Sequence, residues 1–217
     1  EEIVIKNCPK IKDVISMLKI LSHLGVEWHF EQENLVVCAS TMNSYSIPQN
    51  LASELRSSIF MLGALLSRFN RAKIYFPGGC DIGLRPIDIH ISALENLGTI
   101  ISDINGQIIC SAKNLAGKEI YLDFPSVGAT ENLMLASVLA KGKTQIHNCA
   151  KEPEIVDLMN FLNRMGAKVY GAGTSTILIE GVKKLHGCEY QPISDRIECG
   201  TYLIAAAITG GKIEIIN

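Results

Sequence analysis

The chain has 217 residues, 47% apolar and 19% charged, with 20 Lys plus Arg against 22 Asp plus Glu for a net charge of −2. That composition supports a sizeable core and excludes a disordered chain, and the absence of a basic run excludes a general nucleic-acid or membrane-surface binder. Charges interrupt every apolar stretch before eighteen residues, so no membrane span is expected, and the acidic opening EEIVIKNCPK carries no signal-peptide core.

In chain order, a β-rich run, IVIKNCPK, leads into an amphipathic helix with apolar residues at Val14, Met17, Leu18, Leu21 and Leu24, stopped by Gly25. Two strands follow, VEWHF and LVVCAS, then a helix over roughly 51–67 (LASELRSSIFMLGALLSR) and a strand, KIYFPGGC. The helical template then recurs as Ile87, His90, Ile91, Leu94 and Leu97 before Gly98, followed by TIISDI and QIICSA around the tight turn Asn105-Gly106. A strand at 119–124 (EIYLDF), a helix at 128–140 (GATENLMLASVLA) and a strand in TQIHNCAKEPE come next. The template returns a third time as Ile155, Leu158, Met159, Leu162 and Met165 before Gly166, and AKVYG and TILIEG pair across Ala172-Gly173. The glycines suit the left-handed cap that ends a helix.

The three templates start 73 and 68 residues apart, a period of about 70. The repeated unit reads β-α-β-α-β-β, which predicts an α/β fold of three such units. The first unit lacks its preceding strand and helix, and DRIECGTYLIAAAITGGKIEIIN reads as a helix and strand opening a fourth. A chain that starts and stops in mid-unit is expected to be a piece of a longer protein.

Seven cysteines stand at 8, 38, 80, 110, 149, 188 and 199, an odd count without a CxxC pair. This argues against a disulfide framework or structural zinc site and for a reducing compartment; most of the seven read as small buried hydrophobes. Cys80 differs. It sits in PGGCDIGLRPID, five residues before Arg85, where a nearby cation and a helix N-terminus would lower a thiol pKa and yield a usable nucleophile or acid. An Arg beside the positive end of a helix makes sense when an anion lies between them. Ser126-Val127-Gly128-Ala129-Thr130 joins a strand to a small-residue helix and offers N–H groups and hydroxyls to a phosphate or a uracil-like ring; its plainer reading is an N-cap. Arg56 reads either as a ligand contact or as a solvated partner of Glu54. His90, in an apolar slot of its helix, reads as a core histidine, and Lys151–Glu154 as an acidic helix start.

PGGCDIGLRPID (77–88), LDFPSVGATEN (122–132), AKEPEIVDL (150–158) and SDRIECGTYLIAAA (194–207) together resemble the UDP-N-acetylglucosamine 1-carboxyvinyltransferase family along essentially the whole chain. The resemblance implies an inside-out α/β barrel of three β-α-β-α-β-β units, truncated at both ends. Residues 1–193 would form the Cys-loop, UDP-GlcNAc-binding domain without its first strand and helix, and 194–217 the start of a second, similar domain. The implied reaction transfers enolpyruvyl from phosphoenolpyruvate to the 3-hydroxyl of UDP-N-acetylglucosamine in the cytoplasm, as the first committed step of peptidoglycan synthesis, with no metal or other cofactor. Cys80 matches the family's general acid, the thiol that fosfomycin alkylates. Arg85 matches a phosphate contact; Arg85, Pro86, Ile87, Asp88 and Ile89 line the UDP-sugar; Ser126, Val127 and Gly128 match the segment on the nucleotide; and Arg56 matches an Arg near it. Phe124 stands where some relatives have Lys, so a charged contact there is not carried over. The family's Lys-Asn pair would lie upstream of Glu1, and its acid/base Asp and further Arg residues beyond Asn217. The competing readings are a shikimate-pathway enolpyruvyl transferase, which does not use the loop cysteine, and a non-catalytic UDP-sugar-binding paralogue.

Overall fold

The three templates form the helices expected of them. In the computed structural model, which describes residues 2–78 and 86–216, the first unit runs β1 (Glu2–Ile5), α1 (Lys12–His23), β2 (Glu27–Glu31) and β3 (Asn34–Cys38). The second runs β4 (Ser46–Ile47), α2 (Gln49–Ala52), a 3-10 turn (Arg56–Phe60), α3 (Met61–Phe69), β5 (Arg71–Tyr75), α4 (Asp88–Leu97), β6 (Ile100–Ile104) and β7 (Gln107–Ser111). The third runs β8 (Glu119–Tyr121), α5 (Val127–Ser137), β9 (Lys143–His147), α6 (Pro153–Arg164), β10 (Lys168–Tyr170) and β11 (Thr176–Glu180), before β12 (Glu189–Tyr190) and α7 (Arg196–Thr209). Gly25, Gly98 and Gly166 take φ of 90°, 106° and 91° as the caps require, and Asn105-Gly106 closes its hairpin with both φ positive.

One four-stranded mixed sheet is built on each unit, in the orders β12-β1-β3-β2, β4-β5-β7-β6 and β8-β9-β11-β10. Alternate residues of β5, β7, β9 and β11 are buried, so each sheet turns one face inward. Inside them α3 packs along α5, and one contiguous core joins Leu62, Leu65 and Leu66 to Leu133, Met134 and Ile146. Helices inside and sheets outside make the inside-out α/β arrangement that the resemblance implies, built from the three units that the repeat predicts.

Some details depart from expectation. The helix at 51–67 is broken: Leu55 is extended (φ −142°, ψ 124°), Ser58 Oγ donates to the Ala52 carbonyl at 3.0 Å, and the chain restarts at Arg56 as a 3-10 turn. The place that β4 and β8 hold, parallel to the next strand, is taken in the first sheet by β12 from the far end of the chain, through Val4↔Glu189 and Ile5↔Tyr190. Between β10 and β11 the expected turn at Ala172-Gly173 is present, closed by the Thr174 N–H donating to the Gly171 carbonyl at 3.1 Å. Residues 211–216 form no strand, since none of the described strands lies alongside to pair with them. Among the described cysteines only Cys110 and Cys149 are fully buried, fewer than the composition suggested. No helix among the described residues is long and apolar enough to cross a membrane.

Candidate substrate-binding site

Five chain segments meet around an open cleft of about 870 Å³: the 54–60 stretch, Pro86 with His90, and the 124–128 turn, together with the acidic side chains Asp13 from the start of α1 and Glu152 just before α6. The break after α2 brings Arg56 to the head of the 3-10 turn, so the interruption of the helix is what points this side chain at the cleft. Pro86 comes from the approach to α4. Ser126, Val127 and Gly128 come from the start of α5, where the Ser126 hydroxyl accepts from the Ala129 N–H at 3.3 Å and caps the helix. Thr130 Oγ1 donates to the Ser126 carbonyl at 2.8 Å and accepts from the Ala150 N–H at 3.2 Å, tying this turn to the segment after β9. The N–H groups of Val127 and Gly128 have no i−4 carbonyl, and with the positive end of the helix dipole they favour an anion.

The cleft thus gathers Arg56, Pro86, Ser126, Val127 and Gly128 in one place. Ile87 is buried in the core and Ile89 packs on it, while Asp88 opens α4 and lines a separate hollow on its outer side. Cys80 and Arg85 lie outside the described residues. Glu54, the partner considered for Arg56, is engaged from α1 by Lys19 at 3.3 Å and by the Ser16 hydroxyl at 3.2 Å. The exposed ring of Phe124 also lines the cleft, an apolar surface where a lysine would have added charge.

Two further residues escaped the sequence reading as parts of this site. His90 is indeed buried, at 8% exposure, but its ring borders the cleft and packs against Phe60 with centroids 6.4 Å apart. Burial, reinforced by the Arg56 charge and opposed by Asp88, pushes its pKa down to about 4. The α5 terminus sits directly on this ring: a Cβ at Gly128 would lie 2.8 Å from His90 Cε1, so the close approach requires glycine. Asn132, one turn further along α5, hydrogen-bonds the same imidazole. The spacing of His90 four residues after Pro86 was the only available signal, since it sets both at one end of α4.

A family model described as EPSP synthase (3-phosphoshikimate 1-carboxyvinyltransferase) matches residues 1–217. The chain belongs to this family. Within it, the chain is 56% identical over 214 residues to UDP-N-acetylglucosamine 1-carboxyvinyltransferase 2 of Caldanaerobacter subterraneus subsp. tengcongensis, covering 99% of this chain and 51% of that protein. It is 49% identical over 219 residues to the UDP-N-acetylglucosamine 1-carboxyvinyltransferase of Finegoldia magna, covering 100% of this chain and 52% of that protein. The chain spans about half the length of these curated relatives. Among solved structures, the enolpyruvyl transferase NikO from Streptomyces tendae superposes with a TM-score of 0.81 at 23% identity, over 94% of this chain and 49% of that one. An EPSP synthase from Acinetobacter baumannii follows at 0.73 and 19%, over 95% and 47%. These distant structures establish the enolpyruvyl transferase fold.

Proposed function

We propose that the chain is the Cys-loop domain of a UDP-N-acetylglucosamine 1-carboxyvinyltransferase, with residues 1–193 forming that domain and 194–217 beginning the second. The observation that carries this reading is the convergence of Arg56, Pro86 and the uncapped N–H groups of Val127 and Gly128 on one cleft. Such a wall suits a nucleotide diphosphate: cation and helix terminus meet the phosphates, and apolar rings and proline offer a surface to a flat base. The names of relatives 56% and 49% identical support the same branch.

In the full-length protein the reaction is addition followed by elimination. The sugar 3-hydroxyl gives its proton to a base proposed to come from the second domain, and its oxygen bonds to C2 of phosphoenolpyruvate. C3 takes a proton from the Cys80 thiol, the proposed donor, which is left as a thiolate able to take back the C3 proton lost in the next step. Loss of phosphate and of one C3 proton then restores the double bond in the enolpyruvyl ether, with Arg85 proposed on the phosphate. Phosphoenolpyruvate and UDP-N-acetylglucosamine are the proposed substrates, the missing second domain the partner that closes the cleft, and the cytoplasm the site of action.

Because the family model carries the shikimate enzyme's name, the two branches must be told apart by ligand. Isothermal titration of the 217-residue chain is expected to show UDP-N-acetylglucosamine binding that weakens on the order of tenfold in Arg56→Ala, the loss of about one charge-assisted hydrogen bond. Binding of 3-phosphoshikimate without UDP-N-acetylglucosamine would overturn the proposal. The chain alone is expected to release no phosphate from the two substrates, and release at an enzyme-like rate would contradict the division of the site between two domains.

A further inference from the structure

The hydrogen bonds behind the cleft determine the protonation state of His90. Gly63 N–H, in the first turn of α3, can only donate, and it donates to Asn132 Oδ1 at 2.7 Å. That contact fixes the orientation of the Asn132 amide: its nitrogen must face the other way, and a nitrogen of a neutral amide can only donate. Asn132 Nδ2 reaches two groups, the Ile59 carbonyl at 3.0 Å and His90 Nδ1 at 3.1 Å. Its two hydrogens are therefore both used, and His90 Nδ1 has to be the acceptor. A neutral imidazole that accepts at Nδ1 carries its proton at Nε2.

The surroundings leave the amide no alternative arrangement. Asn132 is buried, and a Cβ at Gly63 would come within 2.3 Å of its backbone oxygen, so α3 and α5 meet with no room for a water between them at this point. The charged groups facing His90 are Arg56, from the 3-10 turn, which opposes protonation, and Asp88, on its own helix, which favours it; from α5, Gly128 and Asn132 meet the ring. The free edge of the ring, Cε1 and Nε2, lies against Gly128 at the cleft.

We propose that Asn132 is a positioning residue that locks His90 as the neutral Nε2–H tautomer, so that the imidazole adds a fixed N–H donor to the wall formed by Val127, Gly128 and Arg56. This rests on the reading of the cleft as an anion site. A neutral donor there complements phosphate oxygens without holding a second positive charge beside Arg56, and it stays oriented because a buried amide fixes the other nitrogen. The same three bonds cross-link the 3-10 turn, α3, α4 and α5, so the donor and the segments that carry Arg56 and Gly128 keep one register.

Long-range 1H–15N spectra of the chain labelled at histidine decide the tautomer directly. The expected result at pH 7 is a His90 protonated at Nε2 alone; protonation at Nδ1 would overturn the proposal. In Asn132→Asp a carboxylate replaces the donor, and His90 is expected to take a proton at Nδ1, with its titration midpoint rising from about 4 past the ordinary value of about 6.5. An unchanged tautomer in a folded Asn132→Asp chain would likewise overturn it, because a merely structural amide would lower stability without moving the imidazole proton. If that variant fails to fold, the wild-type spectrum remains decisive. Added uridine diphosphate is expected to shift the His90 Nε2 resonance, and the affinity in Asn132→Asp to fall on the order of tenfold. A wild-type chain with the Nε2–H tautomer and no response to uridine diphosphate refutes the anion-site reading, while the lock on His90 stands.

Discussion

Helices α5 and α7 begin alike and end differently. Ser126 caps the first through the Ala129 N–H at 3.3 Å, and Asp195 caps the second through the Ile197 and Glu198 N–H groups at 2.8 and 3.0 Å. Both are rich in small and apolar residues on all sides. Yet Ala129, Thr130, Asn132, Leu133, Met134, Ala136 and Ser137 are all buried in α5, while α7 buries no residue and leaves Ile208 at 80% exposure. Capping and propensity make a helix; only neighbours bury it. Ile197, Leu203, Ile204 and Ile208 stand open to solvent, the apolar exposure expected under the proposal that 194–217 open a second domain. One anchor ties α7 back: Arg196 meets both carboxylate oxygens of Glu154 on α6, at 2.9 and 3.2 Å.

The contrast is sharpest in core truncations. Leu133→Ala is expected to cost about 2–5 kcal/mol in urea denaturation, while Ile204→Ala in α7 changes stability by no more than about 0.5 kcal/mol. Equal losses would mean that α7 is buried in solution after all.

A smaller effect comes from Glu131, on the side of α5 that faces α6. It lines a hollow with Leu135, Leu158, Phe161 and Tyr190, and burial, together with the charges of Glu154 and Glu152, pushes its pKa up to about 7. The folded state therefore holds this proton more tightly than the unfolded chain, whose ordinary value is 4.5. Stability from this group is present below pH 4.5 and is lost as pH rises through 7. Glu131→Gln, which mimics the protonated form, is expected to stabilise the chain by on the order of 1–2 kcal/mol at pH 8 and by little at pH 4.5. A gain independent of pH would show that the carboxylate is solvated.

The smallest effect is local. Asp195→Ala removes the cap of α7, worth about 1 kcal/mol to that helix. Amide exchange across residues 196–209 is expected to quicken while the denaturation midpoint of the rest stays put. A drop in the global midpoint would show α7 to be cooperative with the core.

Much of this architecture can be read from the chain. The 3.6-residue period of α1, α4 and α6, the terminal glycines and the Asn105-Gly106 turn are local signals, and repeating them three times identifies the unit. What escaped depends on tertiary contacts. Strands β4 and β12 are two residues long, too short to show a period, and β12 is defined only by its pairing with β1 across the whole chain. The break at Leu55 follows from side-chain bonds that compete with helix propensity. At the site, the Ser126–Thr130 turn and Arg56 announce themselves by residue type. His90 did not, because an apolar slot correctly predicted its burial and hid its position at the cleft. Asn132 had no signal at all: its partners Gly63 and His90 are 69 and 42 residues away.

On the proposed function, the start of α5 and Arg56 form the nucleotide wall. The most direct measurement is a backbone amide shift map of the 217-residue chain titrated with UDP-N-acetylglucosamine. Saturable changes are expected, largest at Val127, Gly128 and Arg56, with smaller ones at Ile87. Changes centred instead on the hollow at Leu158 and Phe161, or no saturable change at the α5 terminus, would contradict it.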